Sequence, residues 1–203
     1  MSGIPYDLTR IKAFAFDVDG VLSASTIPLY PTGEPMRMIN IKDGYAIQLA
    51  VKYGYEVAVI TGGNTEAVRK RFEGLGVKDV FMGVGVKLPV FEQWLRDRQL
   101  DRSEVLFMGD DIPDLEIMQN VGLPACPADA AIDVKQIATY TSPMRGGEGC
   151  ARDVIGDRPD SNSGHLCEFS LRQAKVQPQI SDLFSSRLHI ADLFPPMDLQ
   201  KFY

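Results

Sequence analysis

Histidine is scarce in this chain: two residues, His165 and His189, stand among 203, and both come late. A histidine-built zinc site or a Ser-His-Asp relay is therefore disfavoured. Cysteine is scarce too. Cys126, Cys150 and Cys167 are irregularly spaced and make no disulfide framework, which points to a reducing cytoplasm. No apolar run approaches bilayer-spanning length, and residues 1–10 lack the basic start and apolar core of a signal peptide, so no membrane partner is expected. Positive charge is in deficit: 21 Lys and Arg face 27 Asp and Glu, a net charge of −6, with no basic stripe. That balance argues against nucleic acid as a partner. It argues against an anionic small molecule as well, unless the acids gather around a cation that reverses the local charge. There is no internal repeat or low-complexity segment, and the length suits one domain, or one with an appendage.

What is present begins at residues 11–21. An apolar run through Phe16 stops at Asp17 and Asp19, one residue apart, followed by Gly20. A continuous apolar run of this length suits a strand buried on both faces, as in a parallel sheet. The two acids then sit at the strand's end, the edge where open α/β sheets bind ligands. Like charges so close imply a hard metal ion or a shared proton. The plainer alternative is that Asp and Gly simply form a turn.

The chain then alternates. Residues 23–41, with Pro28, Pro31, Gly33 and Pro35, suit a β-hairpin turning near 31–33 that lies as a flap beside the acids; a plain connecting loop is the alternative. Asp43 is expected to cap a helix over 44–52 that ends at Gly54. A strand over 55–60 ends in Thr61, Gly62 and Gly63, and Asn64 or Thr65 caps a helix to about 73. A strand at 77–82 precedes an amphipathic helix opened by Lys87, with Pro89 in its first turn. A strand over 104–108 ends in Gly109, Asp110, Asp111, Ile112, Pro113 and Asp114, and a helix follows to about 120. A strand at 123–126, a helix at 130–137 and a strand at 139–140 come next, and Gly146 and Gly147 lead into 151–155. This order predicts a doubly wound parallel sheet with right-handed crossovers. From 156 the alternation fades, and 156–203 is expected to be an extended or partly disordered tail with short helices near Phe184 and Phe194.

Asp17 with Asp19, Thr61, Lys87, and Asp110 with Asp111 and Asp114 therefore fall at successive strand ends or helix starts, which converge on one crevice. Taken singly, Thr61 and Asp110-Asp111 suit helix caps, Lys87 a solvated lysine, Lys42 and Arg71 exposed charges, and Gly146-Gly147 a loop. Together they suit phosphoryl transfer. Carboxylates and a backbone carbonyl near Asp19 offer oxygens to Mg²⁺, Thr61 with glycine N–H groups suits phosphate, and Lys87 adds a positive charge. One carboxylate could act as nucleophile and the other as acid and base. Uncatalysed phosphomonoester hydrolysis is so slow that ~20 kcal/mol or more of barrier reduction is needed, which accounts for several charged groups in one place.

These four motifs resemble those of the haloacid dehalogenase superfamily. The resemblance implies that Asp17 is the nucleophile and Asp19 the general acid and base. It also implies that Thr61 and Lys87 hold the transferring phosphoryl group, and that Asp17, the Asp19 carbonyl and Asp110 bind Mg²⁺ with support from Asp111 and Asp114. An aspartate at position 19 favours a phosphatase over the superfamily's dehalogenases and ATPases.

Residues 40–45, 83–87 and 146–149 further resemble its phosphatases of 3-deoxy-D-manno-octulosonate 8-phosphate, in register over 11–155. Members of that group lack a cap domain and close their open site with the hairpin and neighbouring subunits of a homotetramer. By that likeness Asn40, Lys42, Asp43, Gly44, Gly62 and Arg71 face a sugar phosphate. The implied unit is 1–155, a Rossmann-like phosphatase core with a flap and no cap. A nonulosonate 9-phosphate is the nearest alternative substrate, and a non-catalytic oligomerisation module is the alternative of another class. Two departures stand out. Gly63 occupies a position where many relatives carry arginine, and 156–203 does not resemble their ending.

Overall fold

The computed structural model describes residues 6–156. The tail expected over 156–203, with its short helices, lies beyond them save for Gly156.

Among the described residues the apolar runs become six parallel strands: β1 (Ala13–Phe16), β2 (Glu56–Ile60), β3 (Asp79–Phe81), β4 (Val105–Met108), β5 (Leu123–Cys126) and β6 (Tyr140–Thr141). Their order is β3-β2-β1-β4-β5-β6. β1 lies at the centre, with Phe14 opposite Val57 of β2 and Leu106 of β4. All four β1 residues are buried, as expected for a strand covered on both faces.

Among the described residues six α-helices cover the sheet: α1 (Ile41–Lys52), α2 (Glu66–Glu73), α3 (Lys87–Arg98), α4 (Leu115–Met118), α5 (Ile132–Ile137) and α6 (Cys150–Ile155). Side chains alternate across each strand, so two cores form. Phe14, Phe16, Val57, Val59, Leu106 and Met108 pack with α1, α2 and α6. Ala13, Ala15, Ala58, Ile60, Val105 and Phe107 pack with α3, α4 and α5. The small residues of β1 on the second face make room for Phe91 and Trp94 of α3 and for Phe107, and Phe91 meets Phe107 edge-on at 6.2 Å. Full burial of each such ring contributes roughly 2–3 kcal/mol. The Trp94 indole N–H is not stranded, because it donates to Asp79 Oδ2 at 3.0 Å.

The crossovers change face between β3 and α3, and the sheet order changes direction between β1 and β4. The crevice between the ends of those two strands is the topological switch point. Among the described residues only the segment 17–40, α1 and the turn 53–55 lie between β1 and β2, and no helix is long and apolar enough to cross a membrane.

The hairpin exists in minimal form. Leu29 and Pro35 pair antiparallel, Tyr30 N–H donates to Glu34 O, and Met36 N–H donates to Pro28 O, each at 2.8 Å. Prolines limit the ladder to this short stretch.

One expectation is corrected here. Asn40, not Asp43, caps α1: its Oδ1 accepts from Lys42 N–H at 2.8 Å. Asp43 falls in the first turn and is fully buried. Its Oδ1 accepts from Arg152 N–H at 2.7 Å, so it serves as the remote cap of α6. This fastens α6 to α1. The preceding loop is pressed onto the backbone after β1. A Cβ on Gly146 would lie 1.9 Å from the Gly20 carbonyl oxygen, and Gly147 N–H donates to Val21 O at 2.8 Å.

Candidate active site

The side chains expected to act lie just past the carboxyl ends of the strands, except Lys87, which opens α3. Asp17 directly follows β1, and its N–H still donates to Met108 O at 3.1 Å, so the last rung of the sheet fixes where the carboxylate leaves. Asp17 Oδ1 accepts from Val18 N–H at 2.7 Å. Gly20 turns the chain at φ +85°, a conformation glycine adopts without strain. A Cβ there would lie 1.9 Å from Asp110 Oδ2, so glycine also leaves the room that the Asp110 carboxylate occupies.

Asp110 follows the end of β4. Its N–H donates to Asp114 Oδ2 at 3.0 Å. The other Asp114 oxygen accepts from Lys87 Nζ at 2.8 Å, and Lys87 Nζ also lies 3.0 Å from Asp17 Oδ1. Lys87, the first residue of α3, is 5% exposed. Carboxylate oxygens of Asp17, Asp110 and Asp114 lie within 4.8 Å of one another.

Three acids and one ammonium in a buried crevice are electrostatically unbalanced. Burial, and then the charge of Asp114, raise the Asp17 carboxyl well above the ordinary range against the pull of Lys87. Burial and the neighbouring Asp17 push Asp110 up to about 8. Burial alone would pull Lys87 down, but Asp17 and Asp114 outweigh it and hold its ammonium above the usual lysine value. A divalent cation is the natural counterweight to such a cluster, and an all-oxygen donor set suits a hard ion such as Mg²⁺. Both oxygens of Asp114 are already engaged, which leaves Asp17 and Asp110 as the carboxylates able to ligate and Asp114 as their support. The residues therefore fit the ion.

Thr61 follows β2 and is held by Thr61 N–H to Phe81 O at 3.0 Å. Its hydroxyl oxygen accepts from Gly63 N–H at 3.1 Å, which leaves the hydroxyl hydrogen to donate elsewhere. Gly62 beside it is exposed. Asp19 faces the flap, where Arg37 binds it with two hydrogen bonds of 2.6 and 2.7 Å. Asp111 is exposed and begins the turn that carries Asp114.

The residues expected to face a sugar divide. Among the described residues, no hydrogen bond or ion pair joins Asn40, Lys42, Asp43 or Arg71 to the carboxylate cluster. Asn40 Nδ2 donates to Gly147 O at 2.9 Å, and Lys42 is exposed. The Arg71 guanidinium lies over Gly44, where a Cβ would come within 2.6 Å of it. Asp43 is fully buried, and its Oδ1 is given to α6. Arg37 was missed by sequence reasoning. Its signal was available, as the sole basic residue of the flap, set between two methionines.

No family model matches the chain. A 3-deoxy-D-manno-octulosonate 8-phosphate phosphatase, KdsC, from Salmonella typhimurium is 35% identical over 153 residues, covering 74% of this chain and 81% of that protein. The crystal structure of the phosphatase of the same name from Yersinia pestis matches with a TM-score of 0.70 and 32% identity, over 73% of this chain and 80% of the other. The Moraxella catarrhalis phosphatase of that name, solved with a magnesium ion, a phosphate ion and a KDO molecule, matches with a TM-score of 0.72 and 25% identity, over 84% and 95%. Sheet order, the carboxylate cluster with its lysine and this similarity over most of both chains agree: the chain belongs to the KdsC family of the haloacid dehalogenase superfamily.

Proposed function

We propose that the chain is a Mg²⁺-dependent phosphomonoesterase that hydrolyses 3-deoxy-D-manno-octulosonate 8-phosphate, in lipopolysaccharide synthesis, to the free sugar acid and phosphate. The observation that carries this reading is the buried Lys87 ammonium between Asp17 and Asp114, at 3.0 and 2.8 Å, beside Asp110. The relatives' substrate and the magnesium-bound relative add support.

An oxygen of Asp17 attacks phosphorus, and the bond from phosphorus to the sugar oxygen breaks. Asp19 gives its proton to the departing oxygen. Water then attacks the phosphoryl group on Asp17, Asp19 takes the water's proton, and phosphate leaves with Asp17 restored. Lys87 has three N–H donors with two committed, so the third is left for a phosphoryl oxygen, as is the Thr61 hydroxyl. Asp17, Asp110 and the Asp19 carbonyl would hold Mg²⁺, which when bound would supply Lewis-acid stabilisation of the phosphoryl oxygens. Asp111 and Asp114 support that ligand set. Lys42, Gly44, Gly62 and Arg71 line the approach of the sugar, and Asn40 orders the start of α1 beside them.

The catalytic unit is residues 1–155, and it works as a cytoplasmic homotetramer whose subunits help to close an uncapped site. A panel of sugar phosphates with and without Mg²⁺ tests the reading. The eight-carbon ester should be preferred and its turnover abolished by chelation. A strong preference for a nonulosonate 9-phosphate would replace the substrate, and no hydrolysis of any ester would overturn the function.

A further inference from the structure

Arg37 is 8% exposed at its side chain, an unusual depth for the one cation of a proline-rich flap. Its Nε and Nη2 donate to the two oxygens of Asp19 at 2.6 and 2.7 Å, and its Nη1 donates to Thr65 Oγ1 at 2.6 Å. Thr65 precedes α2, yet its hydroxyl makes no cap bond to that helix and accepts from Arg37 instead. The guanidinium thus ties the loop after β1, the flap and the loop after β2 together.

Room for it comes from Gly63. A Cβ at that position would lie 2.6 Å from Arg37 Nη2 and 2.9 Å from Cζ, closer than real contacts allow. Backbone at 63 and side chain at 37 are complementary: one must be small for the other to seat. An ordinary exposed ion pair fixes little. A two-pronged arginine clamp with a third anchor fixes both the plane and the direction of the carboxylate it grips.

We propose that Arg37 is the positioning residue for Asp19: it aims the Asp19 carboxylate at the leaving oxygen and latches the flap over the β2 loop, in the space that Gly63 leaves open. This role rests on the reading of Asp19 as the group that handles the leaving-group proton.

The test compares wild type, Arg37→Ala, Arg37→Lys and Arg37→Ala/Gly63→Arg in the full chain with Mg²⁺. Two substrates are used: the octulosonate 8-phosphate, whose alkoxide needs a proton to leave, and p-nitrophenyl phosphate, whose phenolate does not. Arg37→Ala should lower kcat for the sugar ester by ~10²-fold, the span of a general acid's contribution, and for the aryl ester by less than ~10-fold. KM for the sugar ester should stay within about threefold, because the residue acts on the proton and not on ground-state binding. Arg37→Lys should not restore the rate, since a point charge cannot grip both oxygens. The double variant, which brings a guanidinium into the same space from the other loop, should recover at least ~10-fold of what proton transfer contributes. Amide exchange over 24–39 should quicken in Arg37→Ala. Should that variant fail to fold, Arg37→Lys carries the comparison of esters. An equal loss on both esters, a change confined to KM, or wild-type rates would overturn this role alone. A wild-type enzyme inactive on both esters would overturn the proposed function and this role with it.

Discussion

Replacing Lys87 with methionine removes the ammonium while keeping most of the side chain's length. In the native site Nζ lies 3.0 Å from Asp17 and 2.8 Å from Asp114, at 5% exposure. Breaking a buried pair by deleting one partner typically costs about 3–5 kcal/mol, because the other charge is left uncompensated. Here the cost must depend on pH. Burial already raises Asp17, and it raises Asp110 to about 8. Without the lysine both rise further. Between the ordinary carboxylate value and the raised one, the folded state binds protons that the unfolded chain has released. Stability of the metal-free protein therefore falls as pH climbs through that window and levels off above it. At about pH 5 Asp17 and Asp110 are largely neutral, so the variant should lose less there, by about 1 kcal/mol or more. At about pH 8.5 it should lose about 3–5 kcal/mol, which lowers Tm by roughly 10 °C for a domain of this size. Thermal unfolding followed by circular dichroism in EDTA at the two pH values reads the difference. An equal drop at both, or a larger one in acid, would refute the electrostatic account.

Asp17→Asn should fold, reduce phosphate release from the sugar ester by at least ~10³-fold, and raise the metal-free Tm at about pH 8 because one of three crowded charges is gone. Gly20→Ala forces a left-handed residue at φ +85° and a Cβ 1.9 Å from Asp110 Oδ2. The backbone alone costs ~1–2 kcal/mol, and displacement of the carboxylate should weaken Mg²⁺ binding by ~10-fold or more in calorimetric titration. Asp43→Ala should cost ~1–2 kcal/mol through the lost cap of α6 with KM for the sugar ester unchanged; a raised KM at unchanged Tm would return Asp43 to the substrate.

The site's backbone was readable because it depends on local pattern. Apolar runs that stop at Asp17, Thr61 and Asp110 place those residues at strand ends, and alternation with helices brings the ends to one edge. The ladder is shorter than the apolar runs at several ends. Ile11, for instance, is fully buried yet precedes β1, since burial extends beyond regular pairing. Asn40 and Asp43 are both good caps, three residues apart, and nothing local decides between them. The choice is made by Arg152, more than a hundred residues away, whose N–H takes Asp43. Arg37 escaped for the same reason: its meaning lies in Asp19 and Thr65, which the chain meets only after folding. Gly63, by contrast, was visible as a departure from relatives, and its steric sense emerged only with the guanidinium lying against it.

The close seating of Gly146 and Gly147 on Gly20 and Val21 has a consequence for how the molecule is made. The loop after β1 leaves the ribosome well before the glycines that buttress it, which emerge more than a hundred residues later. During synthesis the loop has its acids but not its brace. Assembly of this edge is thus deferred until those glycines have emerged, and a product that stops short of residue 147 would carry every acid of the cluster without the backbone that holds the first of them in place.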